Sequence, residues 1–195
     1  MSLDQLLHEV RSCTACADLP LGPRPVLQVA RSARLLIVGQ APGRKVHETG
    51  VPWNDASGER LRQWMGIDRS IFYDAQCVAI VPIGLCYPGR APAGGDRPPR
   101  RECAPLWQAR LLEHLRHVRL TLLVGHHAQR FHLRSAGKST MTDTVRSFRH
   151  YAPQFMPLPH PSWRSTIWMR QNPWFEKAVL PELRRTVRGA ISAPR

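Results

Sequence analysis

Residues 34–55 read RLLIVGQAPGRKVHETGVPWND, and this stretch decides the fold. Leu35, Leu36, Ile37 and Val38 form a continuous apolar run, as a parallel strand covered on both faces requires. The run stops at Gly39-Gln40-Ala41-Pro42-Gly43, whose glycines and proline permit a tight turn and let bare backbone approach a ligand. In open α/β sheets ligands settle at the carboxyl ends of the strands, which is where this turn falls. Further on, Gly50-Val51-Pro52-Trp53 holds a flat aromatic on a proline-stiffened segment, suited to stacking on a planar group; a core tryptophan is the plainer reading. The segment Gly43–Asp55 reads as a loop too long for a routine connection.

Outward from this stretch the chain alternates helix and strand. Ser2 caps an amphipathic helix carrying Leu3, Leu6, Leu7 and Val10. Ser57 begins a second helix, with Leu61, Trp64 and Met65 on one face and Gly66 at its end. A strand is predicted within Ala75–Val81, closed by Pro82 and Gly84. Tyr87–Pro99 is too rich in proline and glycine for a regular element. A helix follows over Arg100–His117, with Cys103, Leu106, Trp107, Leu111 and Leu115 facing inward. Leu120–Val124 then repeats the strand-then-glycine grammar, and His126–Leu133 reads as a short helix. A last strand near Phe155–Leu158 runs into Pro159-His160-Pro161-Ser162. Asn172-Pro173 opens a final helix through Val187, kinked at Pro181. This is the pattern of a single α/β domain over 1–195, with a small parallel sheet covered on both faces.

Composition bounds the function. Apolar residues make up 43% of the 195, too many for disorder, and no apolar run approaches the roughly 18 residues of a membrane span. MSLDQLLHEVRSCTAC carries acidic residues and no long apolar core, so it does not read as an export signal, and a cytoplasmic protein is expected. Lys and Arg number 28 against 14 acidic residues, a net charge of +14 that points first to a nucleic-acid partner.

Five cysteines occur: Cys13, Cys16, Cys77, Cys86 and Cys103. Cys13 and Cys16 have the spacing by which two thiolates bind one metal centre, and Cys86 and Cys103 can meet across the proline-rich loop. Cys77 falls inside a buried strand, where a thiol behaves as a small hydrophobe. Four thiolates suit either a structural zinc or an iron–sulfur cluster, and five unconnected thiols are the plain alternative.

These pieces together resemble the uracil-DNA glycosylase superfamily, and within it the iron–sulfur-containing bacterial and archaeal branch, over nearly the whole chain. Gly39-Gln40-Ala41-Pro42-Gly43 resembles the branch's first motif, Gly-Glu-Ala-Pro-Gly, and Gly50 with Pro52-Trp53 falls where the family has Gly-x-Pro-Phe, whose aromatic stacks on the everted base. Pro159-His160-Pro161-Ser162 resembles the second motif, whose histidine contacts the uracil carbonyl and whose following loop enters the minor groove. The resemblance implies a three-layer α/β/α sandwich and a 4Fe–4S cluster in a structural role on Cys13, Cys16, Cys86 and Cys103, with structural zinc as the alternative. It also implies a monomeric enzyme acting on DNA that contains a deaminated base. The chain departs from the branch at three places. Gln40 stands where the branch has Glu and cannot act as a base; His47 falls at the acidic position after that motif; and Pro82 aligns with the asparagine that reads the uracil amide edge.

The chemistry assigns roles accordingly. Trp53 is the stacking platform, the backbone of Gly39–Gly43 and the Pro82 position line the base, and His160 donates to the base oxygen as charge develops there. His47 is the first candidate for activating water and Asp55 the second, with Glu48 a solvated loop residue. Ser162, Trp163, Arg164 and Ser165 form the minor-groove wedge and phosphate contacts, and Arg97, Arg100 and Arg101 hold further phosphates. Two rival readings stand: a non-catalytic binder of DNA or damaged bases, and a metal-binding protein whose charge is incidental.

Overall fold

The computed structural model describes residues 1–133 and 140–192. Four strands, β1 (Leu35–Val38), β2 (Val78–Ile80), β3 (Leu120–Val124) and β4 (Phe155–Leu158), form one all-parallel sheet in the order β2-β1-β3-β4. Alternation along each strand divides the apolar side chains between two cores. Leu35 and Ile37 of β1 join Val78, Ile80, Leu122, Val124, Met156 and Leu158 on one face, beneath α3 (Ala56–Met65) and α9 (Leu180–Ser192). Leu36 and Val38 join Ala79 and Leu123 on the other, beneath α1 (Leu3–Arg11) and α5 (Cys103–Leu112). The result is the expected α/β/α sandwich. Among the described residues no helix is long and apolar enough to cross a membrane.

Local signals account for most boundaries. Ser2 and Gln5 close a capping box on α1. α3 ends at Gly66, in the left-handed conformation that a glycine adopts without penalty (φ 67°). Four expectations need correction. The segment Gly43–Asp55 is not all loop: α2 (Arg44–Thr49) winds inside it, its last carbonyls bound by Arg24, whose Nη1 donates to His47 O at 2.6 Å and Glu48 O at 3.0 Å. The fifth helix is shorter than Arg100–His117, because Arg100–Glu102 turn after two prolines and the chain turns again after Leu112. Leu106 faces outward at 44% exposure rather than inward. Pro181, without an N–H for Lys177 O, sits just past a π-helical segment (Phe175–Val179) that widens the turn and leads directly into α9. The chain also holds α4 (Arg69–Tyr73), α6 (His126–His132), α7 (Met141–Arg146) and α8 (Arg164–Gln171).

The strand order reverses between β1 and β3, so their connections leave in opposite directions and open a crevice at the carboxyl edge of the sheet. On the far side, α6 holds His132 half-buried beside Phe155, and desolvation pushes its imidazole down to about 4. A histidine whose folded value lies below its unfolded one, about 6.5, destabilises the folded state as pH falls through that interval. Chemical denaturation at pH 7 and pH 5 is expected to show a loss of about 2 kcal/mol attributable to this group. The His132→Leu variant should lack that component.

Candidate active site

A cleft of about 620 Å³ occupies the crevice, within the range of ligand sites. Its lining includes Gly39–Gly43 from the turn after β1, Pro52, Trp53 and Asp55 from the segment before α3, and Pro82 after β2. His160, Ser162, Trp163 and Arg164 after β4 complete the wall with Arg90, Gly94, Gly95 and Asp96 from the proline-rich loop. The Trp53 and His160 rings, distant in sequence, face each other at 5.7 Å between centroids and 31° between planes.

Trp53 is held in an uncommon backbone conformation, the sole non-glycine described with positive φ (54°). Two glycines make room for it. A Cβ on Gly39 would stand 3.0 Å from the indole Cζ2, and one on Gly58, in the first turn of α3, would stand 1.8 Å from the Trp53 carbonyl oxygen. The guanidinium of Arg62, buried under α3 and paired with Glu59 at 2.7 Å, also donates to that carbonyl at 3.4 Å. Arg60 reaches the other way and binds Ser162 O at 2.6 Å and Ser165 Oγ at 3.1 Å. One short helix thus sets the positions of both the tryptophan and the loop that follows His160.

His160 retains surface because it faces the cleft, yet protein encloses most of its surroundings. That enclosure lowers its affinity for a proton below the usual imidazole value, opposed only by the nearby Asp55 carboxylate. The ring is neutral at physiological pH and offers an N–H donor into the cleft. Asp55 caps α3, its Oδ1 accepting from Gly58 N at 2.8 Å. His47 does not line the cleft. Helical winding of α2 aims Val46 at the cavity and turns the next residue away, burying His47 with its ring 6.1 Å from that of Tyr87.

The departures from the branch pattern have visible consequences. Gln40 donates from Nε2 to Arg97 O at 3.0 Å, tying the proline-rich loop to the turn after β1. Pro82 lines the cleft, while its carbonyl accepts from buried Gln108 at 2.7 Å. At the cleft mouth Trp163 is 69% exposed, with the Arg164 guanidinium 5.3 Å from its ring. Ser165 is buried in its bond with Arg60 rather than presented outward. Arg97 and Arg101 are exposed outside the lining, and Arg100 is paired with Asp18. Asp96, Arg60 and Gly58 had no motif to mark them; the weak signals were a lone acid in a Gly/Pro-rich loop and a glycine at a helix start.

Cys13, Cys16, Cys86 and Cys103 line one small cavity with Arg100, Leu106 and Trp107. All are free thiols; burial is the main cause that pushes Cys86 up to about 12 and Cys103 up to about 11, and each is raised further by its neighbouring cysteines. Among the described residues no three His, Cys, Asp or Glu side chains are grouped closely enough for a single metal ion. Cys77 lies apart and, contrary to expectation, outside the buried strand: it precedes β2, half-buried, and its thiol donates to Asp74 Oδ2 at 3.2 Å.

A sequence profile of the uracil DNA glycosylase superfamily matches residues 27–184. Among solved structures, a solution NMR structure of a candidate uracil DNA glycosylase from Methanosarcina acetivorans is similar: it is 16% identical, with 83% of this chain and 93% of that chain covered, at a TM-score of 0.44.

The Gly58 contact reverses an ordinary substitution effect. Alanine in place of a helical glycine normally adds about 0.5–1 kcal/mol of stability. Gly58→Ala is expected instead to destabilise by more than about 2 kcal/mol, because the Trp53 backbone must move. Gly189→Ala in α9, where a Cβ meets nothing within 4 Å, is the control and should be neutral or stabilising in the same thermal melts.

Proposed function

The chain belongs to the uracil DNA glycosylase superfamily, and from that membership we propose that it is a DNA glycosylase, a hydrolase that everts a deaminated base from DNA and cleaves its N-glycosidic bond. The observation that carries this reading is the Trp53–His160 pair across one cleft of suitable size. Both rings line the cleft, so a base entering it meets the indole and the imidazole together. As the C1′–N bond breaks, negative charge collects on the base oxygen, and a neutral imidazole N–H positioned in advance stabilises it. Extrusion costs a few kcal/mol, least at a mispaired deaminated base, and stacking on Trp53 offsets it. Trp163, on the rim, is the wedge that fills the vacated stack, with Arg164 and Arg90 at the flanking phosphates. Water as the nucleophile, and hence a monofunctional enzyme, belongs to this reading. The net charge of +14 suits a DNA partner, and cytoplasmic location and a monomeric state belong to the same reading.

Within the superfamily we place the chain in the iron–sulfur branch, with Cys13, Cys16, Cys86 and Cys103 holding a 4Fe–4S cluster. The donor set fits: four thiols line one cavity, with no carboxylate or imidazole among its described lining residues. Four thiolates on one zinc stand about 3.8 Å apart, given Zn–S bonds near 2.3 Å. A cluster takes one sulfur at each iron, and the four cysteines bordering this cavity supply that number. Such a cluster would tie the segment after α1, through Cys13 and Cys16, to Cys86 after β2 and to Cys103 at the start of α5. Purified protein is expected to be brown, with iron and sulfide in equal amounts, and Cys86→Ser should lose both. Colourless protein with one zinc per chain overturns the cluster.

A second reading, a non-catalytic DNA binder, is favoured by the engaged Gln40 amide and the aprotic Pro82. Labelled duplexes carrying uracil, hypoxanthine or xanthine, treated with enzyme and then alkali, separate the two. Strand breakage is expected on at least one, with the single-turnover rate about 100-fold lower or more in His160→Ala. Tight binding without breakage on all three supports the binder.

A further inference from the structure

Hydrolysis of the glycosidic bond needs a group to take a proton from water, and the described cleft lining contains two carboxylates, Asp55 and Asp96. Both approach the same point. A Cβ built on Gly43 would stand 3.5 Å from Asp96 Oδ2 and 3.9 Å from Asp55 Oδ2, so the missing side chain leaves a gap that the two oxygens border. Asp55 has a structural task, since its other oxygen caps α3.

Asp96 is brought to the cleft by a loop with its own scaffold. Arg90 and Asp96 form an antiparallel bridge; Ala91 N donates to Gly95 O at 2.9 Å and Arg97 N to Gly89 O at 2.8 Å. Gln40 fastens this loop to the turn after β1 through Arg97 O. The amide at the position where the branch carries a glutamate thus holds the segment that delivers a carboxylate from elsewhere. The Tyr87 hydroxyl, Arg90 and Asp55 are the polar and charged groups facing the Asp96 carboxylate, with Arg44 near Tyr87.

We propose that Asp96 is the general base of this site, accepting the proton of the water that attacks C1′. The inference rests on the glycosylase reading above. As the C1′–N bond breaks, its electron pair leaves with the base, whose oxygen is hydrogen-bonded by His160. The water oxygen bonds to C1′, one of its protons passes to the Asp96 carboxylate, and that proton returns through solvent to the departed base. Asp96 keeps exposed surface at the cleft mouth, and the partial desolvation it does undergo raises its carboxyl above the ordinary value, Tyr87 and Arg90 opposing and Asp55 reinforcing it, which makes the carboxylate a stronger base.

The test uses the full chain and whichever of the three duplexes it cleaves. Single-turnover base release by Asp96→Asn is expected to fall about 100-fold or more, with duplex affinity within about threefold of wild type. Asp96→Glu should retain part of the rate, and Asp55→Asn, which can still cap α3, should lose less than Asp96→Asn. Wild-type cleavage with an undiminished Asp96→Asn rate, or a larger loss in Asp55→Asn, overturns the Asp96 assignment and leaves the glycosylase reading standing. No wild-type cleavage on any duplex sinks the glycosylase reading, and the general-base role with it.

Discussion

The cleft depends on the contact between a helix that begins with almost no side chain and the backbone of a tryptophan. Gly58 lets the Trp53 carbonyl lie against the first turn of α3, and Arg62 supplies a buried donor to the same oxygen. That contact holds Trp53 in a left-handed conformation, a state that costs an ordinary residue about 1–2 kcal/mol. Strain of this kind persists only where surrounding structure over-determines it, and it concentrates at sites with work to do. Arg60, on the same helix, fixes the backbone after His160. The two aromatic rings that define the site are therefore referenced to one rigid element rather than to two independent loops.

The sheet explains why the site lies where it does. Parallel strands with both faces covered leave only their ends open, and the reversal of strand order beside β1 opens the carboxyl edge. Ile83 N and Gly84 N donate to Gly39 O and Gln40 O, each at 2.9 Å, and so carry the pairing of β1 and β2 past the strands into the cleft wall. Pro82 is held in that wall as a shaped apolar surface. On the glycosylase reading proposed above, a base edge is met there by shape, and hydrogen bonding falls to His160 and to backbone groups of the turn.

Charge is organised on two scales. The excess of arginine acts over the whole surface and attracts a polyanion without reading it. Inside the cleft the balance differs: two carboxylates border the Gly43 gap, and a histidine is kept neutral by enclosure. The exterior is basic, while the cleft lining sets Asp55 and Asp96 against Arg90 and Arg164, so the two carboxylates at the Gly43 gap sit in a locally balanced site.

The order of strands and helices, the two-sided core and the turn after β1 were legible in the sequence, because apolar periodicity and glycine-proline punctuation are local and the chain obeys them. The convergence of Trp53 with His160 was legible only through short motifs, whose partners lie more than a hundred residues apart. Tertiary structure alone decided the rest. Six residues of an apparent loop form a helix, and its winding turns His47 inward while Asp96 arrives from a segment that shares no element with the turn it faces. Secondary structure is written in neighbours, but the direction of a side chain in a site depends on which helix turn it occupies and on what packs against that turn, and neither is a property of the residue or its spacing.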